Sequence, residues 1–341
     1  MARLTPIGRI TIVVLLIAAL YGGYYLLKKK GVIGKPETAR TDSNLPPVAD
    51  NLPQPNSGTE NAKPDAETGT STASAFSYAP PAVTAGKLKG VVELGSSGFN
   101  SFIIKVDAQK NWQLEKSEFG NSLVMENMAS EEDIRAGLKK YIGTMLDFGV
   151  GAKDIHFVVS SGAAKADGTQ KISKALKSLN YYVNQVTAEQ EGTYALQSVL
   201  PPVYEDRAFV VDIGSGNTKM SWKQNGKITA VEGPGAKYFQ KGVADAKVYD
   251  EINAKAKQVP EANRKTCFII GGVPFKMAKE VRNAKERYTV LKAPAGYSLT
   301  DAKDKAGANI YKAIADATGC QQFVFDWDAN FTIGFLLNLP E

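Results

Sequence analysis

Two short stretches carry acid, glycine and hydroxyl residues in an order that suits chemistry on phosphate. In AFVVDIGSGNTKMSW, Ala208 to Trp222, the apolar run Phe209, Val210, Val211 ends on Asp212, and Gly214, Ser215, Gly216, Asn217 and Thr218 follow before the chain turns apolar again. Two glycines admit positive φ and leave no side chain between backbone N–H groups and an anion, so this turn can wrap a phosphate. Asp212 would then hold a hydrated Mg²⁺ beside it. The same pattern is also an ordinary tight hairpin, and alone it supports both readings equally. A second copy tilts the balance. Residues 90–105, GVVELGSSGFNSFIIK, place Val91 and Val92 before Glu93, then Gly95, Ser96, Ser97 and Gly98, then an apolar strand through Phe102, Ile103 and Ile104. Two such hairpins about 120 residues apart imply a duplicated fold whose halves face each other across a phosphate site.

Other chemistries are poorly supplied. The single histidine, His156, lies between Ile155 and Phe157 in a strand-like run, and the two cysteines, Cys267 and Cys320, have no metal-type or redox spacing. Serine–histidine, cysteine–histidine and zinc sites are therefore not expected, and the cysteines read as buried thiols. The formal charge of +6 is spread along the chain, which permits an anionic substrate. No basic run interleaves with aromatics, so nucleic acid is not an expected partner.

The elements that must position these residues follow from the order of the chain. Residues 10–27 are uncharged and mostly apolar, lie between Arg3, Arg9 and Lys28-Lys29-Lys30, and carry Tyr21, Tyr24 and Tyr25 at one end. This predicts a single-pass membrane anchor within residues 1–30 rather than a cleaved signal, since no small-residue cleavage site precedes the lysines. Counting positive charges puts the soluble part in the cytoplasm, while a polar stalk suits the periplasmic side as well. Residues 31–86 hold eight of sixteen prolines among Thr, Ser, Asn and Ala, the composition of a disordered linker. The folded part of the 341-residue chain, 43% of which is hydrophobic, reads as a first lobe over 87–203 and a second over 204–341. In the first, a helix opens at Ser130-Glu131-Glu132-Asp133, a strand spans Ile155 to Val159 and runs into Ser160 and Ser161, and a helix carries Ile172, Leu176 and Leu179. A short strand over 182–186 and a helix from Ala188 to Leu200, with Glu189 and Glu191 in its first turn, complete it. The second lobe adds helices around 243–257, 275–284 and 301–317, a strand from Cys267 to Ile270 stopping at Gly271-Gly272, and a last strand from Gln322 to Trp327 before a terminal helix. Strands alternating with helices predict an α/β fold.

The order of motifs resembles the exopolyphosphatase and guanosine pentaphosphate phosphatase (Ppx/GppA) family, within the actin, hexokinase and Hsp70-like superfamily. VELGSSGFNSFII is similar to its first phosphate loop, VSSGAAKA to its alanine-threonine-serine segment, and VTAEQEGTYALQSV to its glutamate-bearing helix. VVDIGSGNTKM is similar to the second phosphate loop, GPGAKYF, which contains Gly235, to the following glycine turn, IIGGV to the late glycine pair, and DANFTIGFLLNL to the closing segment. The resemblance covers about residues 88–341 and implies a two-lobed, actin-like ATPase (ribonuclease H-like) fold with an interlobe cleft. It further implies hydrolysis of a phosphoanhydride, with Mg²⁺ as cofactor held by Asp212 and Glu93, and a carboxylate, Glu191, activating water. Gly95, Ser96, Ser97, Gly98 and Asn100, together with Gly214, Ser215, Gly216, Asn217, Thr218, Ser160 and Ser161, would bind phosphate, and Lys165, Gly235, Gly271 and Gly272 would line the cleft.

The departures from the family are specific. Glu93 stands where the family has Asp, Gln190 replaces one of its paired glutamates, Ala164 stands at its arginine position with Lys165 adjacent, and Thr332-Ile333 replaces an arginine-glutamate pair. Three functions follow as expectations: a bacterial inner-membrane phosphatase acting on polyphosphate or a guanosine polyphosphate, a non-catalytic sensor of a phosphorylated ligand, and an actin-like membrane ATPase with an adenosine pocket near Gly271-Gly272. A membrane-protein partner or a homo-oligomer accords with each.

Overall fold

A computed structural model describes residues 76–95, 98–119 and 131–339. The predicted anchor, most of the linker, and Ser96 and Ser97 of the first loop lie outside the described residues. Among the described residues no helix is long and apolar enough to cross a membrane.

Two sheets repeat one plan. In the first, β1 (Lys87–Gly95), β2 (Gly98–Val106) and β3 (Trp112–Phe119) form an antiparallel meander, and β4 (Ile155–Val159) and β5 (Val183–Gln185) continue it in parallel, in the order β3-β2-β1-β4-β5. The second repeats this with β6 (Ala208–Ile213), β7 (Asn217–Gln224), β8 (Lys227–Pro234), β9 (Thr266–Ile270) and β11 (Gln322–Asp326). It adds an antiparallel edge strand, β10 (Tyr288–Val290), giving β10-β11-β9-β6-β7-β8. The central strands carry consecutive apolar residues because both faces are covered: Val91 belongs to one buried cluster and Val92 to another. The meander strands β3 and β8, only half-buried, have no such run and are not foreseen from the sequence.

Helices α1 (Glu131–Asp147) and α2 (Asp167–Ser178) cover the outer face of the first sheet, with Leu138, Met145, Ile172 and Leu176 packed on Val92, Ile103 and Phe157. On the second sheet α4 (Asp245–Ala256), α5 (Gly272–Val281) and α6 (Ala302–Thr318) do the same through Val248, Ile252, Met277 and Ile310. The remaining two helices exchange lobes. Helix α3 (Ala188–Val199) follows the first sheet yet packs on β6, β7 and β8, and α7 (Phe331–Leu337) follows the second yet packs on β1 and β2. They also pack on one another, so the inner cluster joins Val91 and Phe102 of the first sheet to Val210 and Phe268 of the second.

The linker ends earlier than its composition predicts. Phe76 lies with its ring centroid 5.5 Å from Tyr204, 5.5 Å from Phe268 and 5.2 Å from Tyr288, and Tyr78 stands 5.8 Å from Tyr288. Two aromatic rings in an otherwise polar stretch have apolar area to bury, and the base of the interlobe core accepts it. A fragment starting at residue 76 is therefore expected to be about 2–4 kcal/mol more stable than one starting at 88, read as a higher melting temperature. Equal melting of the two would show these rings to contribute nothing.

Candidate functional site

Both acid-bearing hairpins end in the groove between the lobes, around a cavity of about 300 Å³. In the first, strand register sets Glu93 opposite Asn100, and the Asn100 amide donates to Glu93 Oε2 at 3.0 Å. A second amide, Asn330 at the N-cap of α7, reaches the same oxygen from the other lobe at 3.3 Å. In the second hairpin register sets Asp212 opposite Lys219.

Lys219 is the centre of the cleft floor. It is 4% exposed, its ammonium is ion-paired with Glu191 Oε2, and it lies 3.8 Å from Asp212 Oδ2. Burial works against the ammonium, but Asp212 and Glu191 outweigh it and hold the lysine pKa above its ordinary value. Glu191 is fully buried, and its other oxygen, Oε1, accepts from the Ser161 N–H at 2.5 Å. The helix places it there. Gly192 lets α3 lie close on the second sheet, since a Cβ would stand 2.7 Å from that of Ala230, and this turns Glu191 inward. Gln190, by contrast, faces out and closes the capping box with Thr187.

The second loop is held from beneath. Gly214 N–H donates to Asn217 O, while Ala236 and Lys237 N–H groups donate to Gly214 O and Ser215 O. A side chain on Gly235 would stand 2.7 Å from Ser215 O, which is why glycine is found there. Thr218 is fully buried and donates to Pro234 O at 2.8 Å, so its hydroxyl secures the loop instead of facing the cavity. Asn217 spends its amide on Ser161 Oγ at 2.8 Å and Glu232 Oε1 at 2.7 Å, linking the lobes. Beside it Gly216 meets Gly162 so closely that a Cβ on Gly216 would stand 2.9 Å from the Gly162 Cα. Gly271, at φ +112°, carries the chain past Ile213 into α5, and with Gly272 it lines the cavity. Gly95, Asn100, Ser160, Gly214, Ser215 and Gly216 line it as well, whereas exposed Lys165 does not. Gly98 pairs with Gly95 to close the first hairpin.

The hydrated Mg²⁺ expected beside Asp212 and Glu93 would share this floor with a lysine. The Lys219 ammonium already sits at Asp212 and Glu191, where a dication would meet like-charge repulsion. Among the described residues no three acidic, histidine or cysteine side chains are placed to hold a metal. Glu93 has a different property: burial pushes its carboxyl up to about 7, against the pull of the Asn100 amide. The unfolded carboxyl releases its proton near 4.5, so between these values the folded state binds the extra proton and stability falls as pH rises. Glu93→Gln is expected to flatten this fall and to stabilise the chain at pH 8 by up to about 3 kcal/mol, measured by urea unfolding at pH 5 and pH 8. An unchanged pH profile would refute it.

Lys219 and Asn330 are the site residues a reading of the sequence misses. A signal for Lys219 exists, because residues 212 and 219 stand symmetrically about the GSGN turn and must pair across the hairpin. Asn330 before a wholly apolar FTIGFLL carries an N-cap signal. The aromatic side of the cavity, Phe102, Phe119, Phe275 and Trp327, has none, since its rings come from both lobes.

No protein-family model and no curated protein matches the sequence. Solved structures do. An Aquifex aeolicus member of the Ppx/GppA family superposes with a TM-score of 0.57 at 17% identity, over 74% of this chain and 96% of that one. An exopolyphosphatase from Cytophaga hutchinsonii superposes with a TM-score of 0.58 at 13% identity, over 73% and 96%. An exopolyphosphatase-like protein gives 0.53 at 13% identity, over 75% and 98%. The fold of the described residues is that of these Ppx/GppA structures.

Proposed function

We propose that this chain is a phosphatase-fold protein that holds a phosphorylated ligand between its lobes without hydrolysing it, tethered to a membrane through residues 10–27. The observation that carries this reading is Glu191. Hydrolysis needs a carboxylate free to orient water, and both oxygens of Glu191 are engaged, one by Lys219 and one by the Ser161 N–H, with none of the side chain exposed. What persists is a cavity walled by glycine turns from both lobes, which supports recognition of a phosphate. The ligand then bridges two lobes joined by exchanged helices, an arrangement that suits a sensor. The basic residues after the anchor favour the cytoplasmic side for the sensing domain.

One observation favours hydrolysis as a second reading: Glu93 lines the cavity and exchanges its proton near neutral pH, as a general base requires. The test is phosphate release by the full chain with Mg²⁺ and polyphosphate, guanosine pentaphosphate, ATP or GTP, beside Glu191→Gln and Glu93→Gln. No release above the blank, with saturable binding by equilibrium dialysis, is the expected result. Release that disappears in Glu93→Gln establishes a hydrolase and overturns the first reading.

A further inference from the structure

The charge on the cleft floor and the rings beside it together restrict the ligand. Asp212 and Glu191 bring two carboxylates and Lys219 one ammonium, so this trio keeps one net negative charge. A dication in the same place would balance both carboxylates, whereas a lysine leaves the floor repelling each further charge on a bound phosphate. Lys303 on the cavity wall adds one further cation, so the cleft suits a ligand of low charge better than a long polyanion.

The neighbouring wall is aromatic. Phe275, in the first turn of α5, has its ring centroid 5.3 Å from Trp327 and, across the cleft, 5.9 Å from Phe119 of the first lobe. Phe119 in turn lies 5.9 Å from Phe102 and is 62% exposed. One exposed ring of the first lobe and two half-buried rings of the second line one cavity and can gain from a flat apolar body placed against them, and a polyphosphate chain has no such body. The ring wall and the glycine loops belong to the same cavity, so one molecule can reach both.

We propose that the cleft takes an aromatic phosphate monoester, such as a nucleoside monophosphate, and takes it without a divalent ion, Lys219 serving as the resident cation and Phe119, Phe275 and Trp327 as the seat for the ring. This rests on the reading of the cleft as a phosphate-binding site. It differs from the role that the resemblance gives Mg²⁺, because the cation here is a side chain of the protein.

The test is isothermal titration of the full chain in mild detergent with AMP, GMP, phenyl phosphate and inorganic tripolyphosphate, each in EDTA and in Mg²⁺. The monoesters are expected to bind equally in both buffers, with tripolyphosphate about tenfold weaker or more. Phe275→Ala should weaken the monoesters by about tenfold while its melting temperature shows the fold intact. In the double variant Lys219→Met/Glu191→Gln, which keeps a neutral buried pair, binding in EDTA should be lost. Monoester binding that requires Mg²⁺, or tripolyphosphate binding more tightly, overturns this inference and leaves the phosphate cleft standing. If none of the four compounds binds in either buffer, the cleft reading itself fails and the inference with it.

Discussion

Lys219→Met is expected to destabilise the folded chain by about 3–5 kcal/mol, because it leaves two buried carboxylates without their cation. Glu191 is fully buried, so water cannot take over the role of the ammonium at its carboxylate. For a folded part of this size the loss corresponds to a melting temperature lower by on the order of 10 °C. The pH dependence identifies the cause. Without Lys219 the Glu191 carboxyl, raised by burial, prefers to keep its proton in the folded state, so stability is retained at low pH and lost as pH rises through its folded value. The deficit should therefore be smaller at pH 5 than at pH 8, and Lys219→Met/Glu191→Gln should recover part of it, since neutral amides cost less to bury than an unpaired charge. A single variant that loses less than about 1 kcal/mol at both pH values would mean that the pair is solvated and contributes as a surface pair does.

Gly334→Ala is expected to cost about 3 kcal/mol, at the upper end for one added methyl group, because the atoms it meets are backbone. A Cβ there would run into the Tyr194 carbonyl and stand 2.8 Å from the Tyr194 Cα, where α3 and α7 cross. Neither helix can yield alone: α3 is pressed on the second sheet through Gly192, and α7 lies on β1 and β2 of the first. The strain reaches the cleft as well, since Asn330 caps α7 and donates to Glu93. Gly143→Ala on α1 is the control, because nothing lies within 4 Å of its added carbon. It should be neutral or stabilising by up to about 1 kcal/mol, as alanine is the better helix former. Equal denaturation midpoints for the two variants would refute the close crossing.

Several elements are legible from residues alone, for a local reason. Ile155 to Val159, the strand ending at Gly271-Gly272 and both glycine hairpins are short apolar runs bounded by turn residues, and such runs need no partner to be recognised. The capping box at Thr187 and Gln190 likewise marks the start of α3 within four residues of chain. Strands β3 and β8 are opaque because WQLEKSEF and KITAVEGP mix polar and apolar positions at half-buried edges, and Phe76 is opaque because its partners begin at Tyr204. Cys267 and Cys320 are buried free thiols, as their spacing suggests.

A duplicated α/β chain with an acid at the mouth of each glycine hairpin follows from local residue order, because strand periodicity and turn chemistry act over a few residues. Even the pairing of Asp212 with Lys219 follows from the symmetry of a hairpin. What those acids face depends on contacts between distant segments. Helix α3 docks across the lobe boundary and delivers Glu191 to Lys219, while α7 docks in the opposite sense and brings Asn330 to Glu93. A carboxylate in the first turn of a helix is a helix-favouring charge, a base or half of an ion pair, and the choice depends on which distant side chain shares its dry surroundings. In this cleft the neighbour is an ammonium.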